Sequence, residues 1–286
     1  MRLLTKKVPV NHNYFLFGDL HIGDAMCHFK GITKLIDHMQ TSIDGLPVSS
    51  NIATVHGDLI SAICSDDTRF DASQVGVPLQ QAQEAVRILW PIRDQIVCVL
   101  QGNHERKLHR TGDLSALMCE QLGVEYGTYT AKITFVKRGG DVLYKHYATH
   151  GMRSISSAAD DPNRQLTNKK LALKRHLKYK AGDCVLMSKG HVHKLLKLPP
   201  SQSFYLSDDG KQIQATYIKA ELNAEYIHPD LRWYICTGSF QRLYNADLET
   251  PASGYAEVFE FDPEELGYYV VVVRDSQIER VEKFVV

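Results

Sequence analysis

The chain has 286 residues, 44% of them hydrophobic and 23% charged, with 33 Lys and Arg matched by 33 Asp and Glu. A formal net charge of zero excludes a globally basic nucleic-acid coat or membrane-surface polycation, so any such surface must be local. Met1–Lys7 lacks the apolar centre of a signal peptide and no stretch is of bilayer-spanning length; the six cysteines are scattered without a Cys-x-x-Cys pair, which predicts a cytoplasmic chain with reduced, mostly buried thiols.

In chain order, the apolar run Tyr14–Phe17 predicts a buried strand that ends in Gly18-Asp19-Leu20-His21. Phe29 to Met39 carries Ile32, Leu35, Ile36 and Met39 at helical spacing. Ile52–Val55 reads as a second strand and ends in His56-Gly57-Asp58. Leu79 to Trp90 predicts a helix with Ala82, Ala85, Val86 and Leu89 on one face, stopped by Pro91. Ile96–Leu100 is a third strand, with Cys98 in its core, and ends in Gln101-Gly102-Asn103-His104-Glu105. Asp113 caps a helix through Leu122. This βαβ rhythm predicts a layered α/β chain whose ligands gather beyond the carboxyl ends of the strands.

Tyr129–Val136 and Val142–Thr149 predict a strand pair around Arg138–Asp141, ending at His150. A basic helix over Lys169–Lys180 follows, then Val185–Met187 leading into Gly190-His191-Val192-His193. From Phe204 onward the pattern is mostly strand, clearest at Trp233–Cys236, Glu257–Phe261, Tyr268–Val273 and Ile278–Val285. With no repeat and no long linker, the expectation is one domain over 1–286, its motif-bearing core at about 10–195 and a strand-rich portion at about 200–286. An edge of that strand-rich portion leaves room for a homodimer.

Five polar clusters therefore follow apolar runs: Asp19/His21, Asp58, Asn103/His104, His150 and His191/His193. Glycine beside nearly all of them permits tight turns and close approach. Two Asp, one Asn and four His, with His104 left over, exceed what one tetrahedral zinc needs and suit two divalent ions bridged by a carboxylate. Oxygen and imidazole donors without cysteine allow Mn, Fe, Zn, Ni or Mg and do not choose among them, and Mn²⁺ is the ion expected. His12, His56, His109 and His146 match no motif and read as surface or satisfied core residues, and Glu105 as a structural bond to nearby backbone. Arg106 and Arg153 follow site clusters, where a guanidinium suits phosphate, although surface salt bridging is an equal alternative. Lys170, Lys174 and Lys178 repeat every four residues and form either a solvated helix face or a phosphate-backbone contact beside the site.

The ordered series Gly-Asp-x-His, Gly-Asp, Gly-Asn-His-Glu, His-Gly and Gly-His-x-His resembles the calcineurin-like metallophosphoesterase superfamily over residues 15–194. It is similar to the small phage and prokaryotic members and, more distantly, to the double-strand-break repair nucleases. The resemblance implies an α/β four-layer αββα sandwich of two mixed sheets flanked by helices. It also implies Asp19, His21 and His193 on one metal, Asn103, His150 and His191 on the other, Asp58 as the bridge, and His104 beside the phosphate as general acid or as stabiliser of the transition-state charge. The implied reaction is hydrolysis of phosphodiesters, in DNA, RNA or nucleotides, by in-line attack of a metal-bound hydroxide; the lack of a spanning stretch adds the expectation of no membrane partner. A phosphomonoesterase and a non-catalytic scaffold are the alternatives. Ser61 stands where many relatives carry the Asp or Asn that orients the catalytic His, and Ala62 where phosphoprotein phosphatases carry Arg, which argues against a protein phosphatase.

Overall fold

Apolar side chains fill both faces of the segment His12–Phe17: Tyr14 and Leu16 point one way, Phe15 and Phe17 the other. A strand buried on both faces needs a layer on each side. The structure, a computed structural model, describes all residues except 68–69, 71–72, 111, 219–223 and 249–251. Its first strands are β1 (Arg2–Lys7), β2 (His12–Phe17), β3 (Asn51–Val55), β4 (Ile96–Val99), β5 (Glu125–Tyr126), β6 (Thr130–Val136) and β7 (Val142–Thr149). They are followed by β8 (Leu186–Lys189), β9 (Leu195–Leu198), β10 (Phe204–Asp208), β11 (Ile213–Tyr217), β12 (Trp233–Thr237), β13 (Gly267–Arg274) and β14 (Gln277–Val285). The helices are α1 (Phe29–Met39), α2 (Pro78–Leu89), α3 (Asn103–Arg106), α4 (Leu114–Leu122), α5 (Pro162–Leu177) and α6 (Tyr255–Val258).

Two mixed six-stranded sheets result, in the orders β14-β13-β2-β3-β4-β5 and β1-β6-β7-β8-β12-β9, with a separate β10–β11 hairpin. In the first sheet β2, β3 and β4 run parallel, and in the second β7, β8 and β12 do. Three buried clusters fill the spaces between layers. Phe15, Phe17, Val55 and Val270 pack with Ile32, Leu35, Ala85 and Met118 from α1, α2 and α4. Tyr14, Leu16, Val97 and Val271 meet Ile133, Phe135, Leu186 and Ile235 between the sheets. Tyr147, Met187, Tyr234 and Cys236 pack with Leu173 and Leu177 of α5. This α/β arrangement is compatible with a sandwich, and among the described residues no helix is long and apolar enough to cross a membrane.

Local chemistry places the helix ends. Asp113 accepts the Ala116 N–H at 3.1 Å, and Gly123, at φ 70°, closes α4. Asp161 accepts the Arg164 N–H at 2.7 Å, so α5 begins at Pro162, ahead of the basic stretch. The helix ends at Leu177, leaving Lys178 as its C-cap. At Pro91 the α2 turns tighten into a 3₁₀ segment, Trp90–Gln95. Two expectations change. Glu257–Phe261 is not a strand: Glu257 and Val258 both donate to Gly254 O at 3.1 Å, winding a short turn of helix. Conversely β1, hidden by its charged and exposed residues, pairs in parallel with β6. Part of the strand-rich region, 219–223 and 249–251, lies outside the described residues. All six cysteines are free, five of them buried.

Arg232 is fully buried and donates through Nε to Ile227 O at 2.8 Å and through Nη1 to Lys178 O and Ala181 O at 2.9 and 3.1 Å. It ties the end of α5 to the start of β12. Arg232→Met strands these carbonyls in the core and should lower stability by roughly 3 kcal/mol, read as a shifted urea midpoint. A loss below about 1 kcal/mol would show that water replaces the guanidinium.

Candidate metal centre

The chain turns sharply as it leaves β2, β3 and β8, and the turns are made by the polar residues themselves. Asp19, His21, Asp58, His191 and His193 have φ of 52°, 51°, 48°, 70° and 56°. Left-handed backbone costs an L-residue on the order of 1 kcal/mol, even where Asp and His tolerate it best. Cross-links between the loops hold it in place. Asp19 N–H donates to Gly57 O at 2.9 Å, His21 N–H to Asp58 O at 3.1 Å and Ile22 N–H to Leu59 O at 2.9 Å. Asp19 O in turn accepts from Ser239 Oγ and from Phe240 N, both at 3.0 Å. Glu105 gathers the Leu59, Ile60 and Gly102 N–H groups at 2.6, 3.2 and 3.1 Å, the structural role expected of it. Gly57 and Gly102 touch so closely that a Cβ on Gly57 would lie 2.6 Å from Gly102 N, and one on Gly102 would collide with Asp58 Oδ1.

The loops bring all seven expected ligands and His104 together. Asp19, His21 and His193 form one group, Asp58, His150 and His191 another, and His21, Asp58 and His104 a third between them, with donor atoms of each group within 4.8 Å of one another. Asn103 joins through its Oδ1, 2.8 Å from His150 Nε2. His21 Nε2 lies 3.1 Å from His193 Nε2, which is 3.4 Å from Asp19 Oδ1. Asp58 Oδ1 accepts the His104 N–H at 2.9 Å and its Oδ2 is 3.3 Å from His150 Nε2. His150 Nδ1–H donates to His56 O at 2.6 Å, so Nε2 is the ring nitrogen that faces the Asn103 and Asp58 oxygens, and in the metal-free site a proton lies between them. Two oxygens converging on one imidazole nitrogen make a place for a cation, a proton or in its stead a divalent metal, which this donor set suits. Burial and neighbouring imidazoles push His21 well below its ordinary range and His191 to about 4, which keeps both rings neutral.

Behind the ligands a hydrogen-bond chain crosses the intersheet core. His56 Nδ1–H donates to Phe17 O at 3.3 Å, so its Nε2 accepts from Ser188 Oγ at 2.5 Å. His146 Nε2–H donates to Ser188 Oγ at 2.6 Å, its Nδ1 accepts from Tyr14 at 2.7 Å, and Tyr14 accepts from Thr54 at 2.6 Å. Burial presses His56 down to about 4 and His146 well below its usual range, so both stay neutral and each buried polar atom has a partner. His12 is likewise a satisfied core histidine, held by Pro9 O and Tyr144 at 2.8 Å each. These rings are structural, as expected, but the His56 carbonyl is also what sets the tautomer of His150.

The oriented state of His104 has a source that the sequence does not display. Its Nδ1–H donates to the Ser61 backbone carbonyl at 2.5 Å, which replaces the carboxamide or carboxylate that the resemblance leads one to expect at position 61. A cavity of about 460 Å³ adjoins Asn103, His104, His191 and His193 and extends to Gln241 and Glu260–Asp262, residues no sequence motif marked. Arg106 and Arg153 are exposed, Arg106 reaching Tyr129 at 5.8 Å, and neither lines that cavity. Lys170, Lys174 and Lys178 do not line it either. Lys174 pairs with Asp230, ahead of the start of β12, whereas the site lies beyond the strands' carboxyl ends; Lys178 stacks on Tyr179 at 4.6 Å.

The chain matches no family model and has no significant match among curated proteins, so the functional reading rests on this geometry. Burial lowers the His150 imidazolium pKa, but the Asp58 carboxylate more than offsets this and lifts it to about 9. Burial would raise Asp58, and His150 with His104 holds it well below the usual carboxylate range. For folding, the contribution of the raised His150 is complete below its ordinary value of 6.5 and is lost as pH rises through about 9. A metal at Nε2 must displace that proton, so Mn²⁺ affinity should rise about tenfold per pH unit between pH ~6 and ~8, as read by titration calorimetry. A flat profile would contradict a protonated His150 in the metal-free site.

Proposed function

We propose that the chain is a metal-dependent phosphoesterase of the calcineurin-like type, with an αββα sandwich, two divalent ions flanking Asp58 and phosphodiesters as substrates. The observation that carries this reading is the convergence of His150 Nε2 with Asn103 Oδ1 and Asp58 Oδ2, 2.8 and 3.3 Å away, with the Asp19/His21/His193 group beyond Asp58. Asp19, His21 and His193 would hold one ion, Asn103, His150 and His191 the other, and Asp58 both. Divalent ions there would supply positive charge to phosphoryl oxygens and lower the pKa of water, with Mn²⁺ the ion we favour.

The protein's own groups do the rest. His104 lines the cavity and is fixed at Nδ1 by the Ser61 carbonyl, which leaves Nε2 as the ring nitrogen from which a proton can pass to the departing alkoxide. The loop cross-links hold the ligands at fixed separation, so the charge needed in the transition state is set before substrate arrives. The cavity beside His104 gives room for a second ester substituent, which favours a diester over a monoester. Lys174 is paired with Asp230 and none of Lys170, Lys174 and Lys178 lines the cavity, so none of the three is needed here.

Mn²⁺-loaded protein should hydrolyse bis-p-nitrophenyl phosphate faster than p-nitrophenyl phosphate, and Asp58→Asn should abolish both turnover and most metal binding. His104→Ala should keep its metal and lose roughly a hundredfold or more in turnover. Preference for the monoester would replace the diesterase reading with a phosphatase. Metal loss in His104→Ala equal to that in Asp58→Asn would make His104 a ligand instead of an acid.

A further inference from the structure

The cavity that opens on His104 has an outer wall unlike a phosphate-backbone groove. Three carboxylates, Glu260, Asp262 and Glu264, line it, against one Lys or Arg side chain, Lys194, which is already ion-paired with Glu264. Three negative charges and one positive leave this wall at −2. Glu260 and Asp262 make no ion pair among the described residues, and Phe261 between them is 50% exposed. Gln241 also lines the cavity; it is 6% exposed, and its Oε1 is buried without a hydrogen-bond partner among the described residues. Its Nε2 is spent on Asp24, 2.7 Å away, so the free end of the amide is an acceptor.

On this wall the charged groups without an ion pair among the described residues, Glu260 and Asp262, are negative, the unpartnered Gln241 oxygen is an acceptor, and Phe261, Leu243 and Leu266 are apolar. We propose that this wall receives an alkylammonium group, so that the ester substituent of the substrate is a compact apolar body carrying a positive charge; this rests on the phosphoesterase reading above. An ammonium near an aromatic face is attracted by the ring quadrupole, and flanking carboxylates add to that attraction. The buried Gln241 acceptor offers an N–H donor the partner that burial otherwise denies it. A polynucleotide strand would bring further negative charge against Glu260 and Asp262, and it is the substrate this wall disfavours.

The test uses the full chain and small probes. Benzylammonium, an aromatic cation with N–H donors and no phosphate, is titrated calorimetrically into the protein beside benzoate and a thymidylate oligonucleotide. The cation should bind at least about tenfold more tightly than benzoate, weaken with added salt, and lose about tenfold in Glu260→Gln/Asp262→Asn and in Phe261→Ala, with unchanged melting temperatures. Equal or tighter binding of benzoate or of the oligonucleotide would overturn the inference. In the Mn²⁺-loaded protein the cation should inhibit bis-p-nitrophenyl phosphate hydrolysis competitively. Hydrolysis untouched by a bound cation would overturn the placement of the ester group, while cation binding with no hydrolysis at all would overturn the phosphoesterase reading itself.

Discussion

The contact between Asp58 and the loop that follows β4 is the constraint on which the site depends. Asp58 Oδ1 takes the His104 N–H at 2.9 Å, and the two loops approach so closely at Gly57 and Gly102 that neither position has space for a methyl group. One carboxylate oxygen is thereby anchored to protein, and the other is left facing His150. The same backbone bond places His104. A single close approach therefore orients the central carboxylate and the candidate acid together.

Strain and support are balanced across the two sheets. Five of the candidate ligands hold left-handed backbone, which unsupported turns would not keep. Support comes from the backbone ladder between the loops, from the three bonds of Glu105 and from the neutral chain Thr54–Tyr14–His146–Ser188–His56. That chain lies in the core the two sheets share, so packing between sheets is transmitted to the His56 carbonyl and on to His150. A rigid donor set of this kind suits chemistry in which the ligand field must exist before substrate binds.

Much of this was legible in the sequence because apolar runs ending in glycine and a polar residue announce both a buried strand and what it presents. β2, β3 and β4 and the seven candidate ligands could be read that way. What escaped has a physical reason in each case. The Ser61 carbonyl orients His104, and a backbone group leaves no trace in residue identity. Ser188 meets His56 and His146 across 132 and 42 residues, a pairing no local pattern encodes. Glu257–Phe261 alternates like a strand, yet the bonds to Gly254 wind it into helix. The regular lysine spacing suggested one basic face, but Lys174 is taken by Asp230 and Lys178 lies past the helix end.

The central claim is that the loops enclose two divalent ions with Asp58 between them. Anomalous scattering from a crystal soaked in Mn²⁺ tests it most directly. The account predicts two peaks, one bounded by Asp19, His21 and His193 and one by Asn103, His150 and His191, with Asp58 between them. A single peak remote from Asp58, or none at full saturation of the crystal, would contradict it.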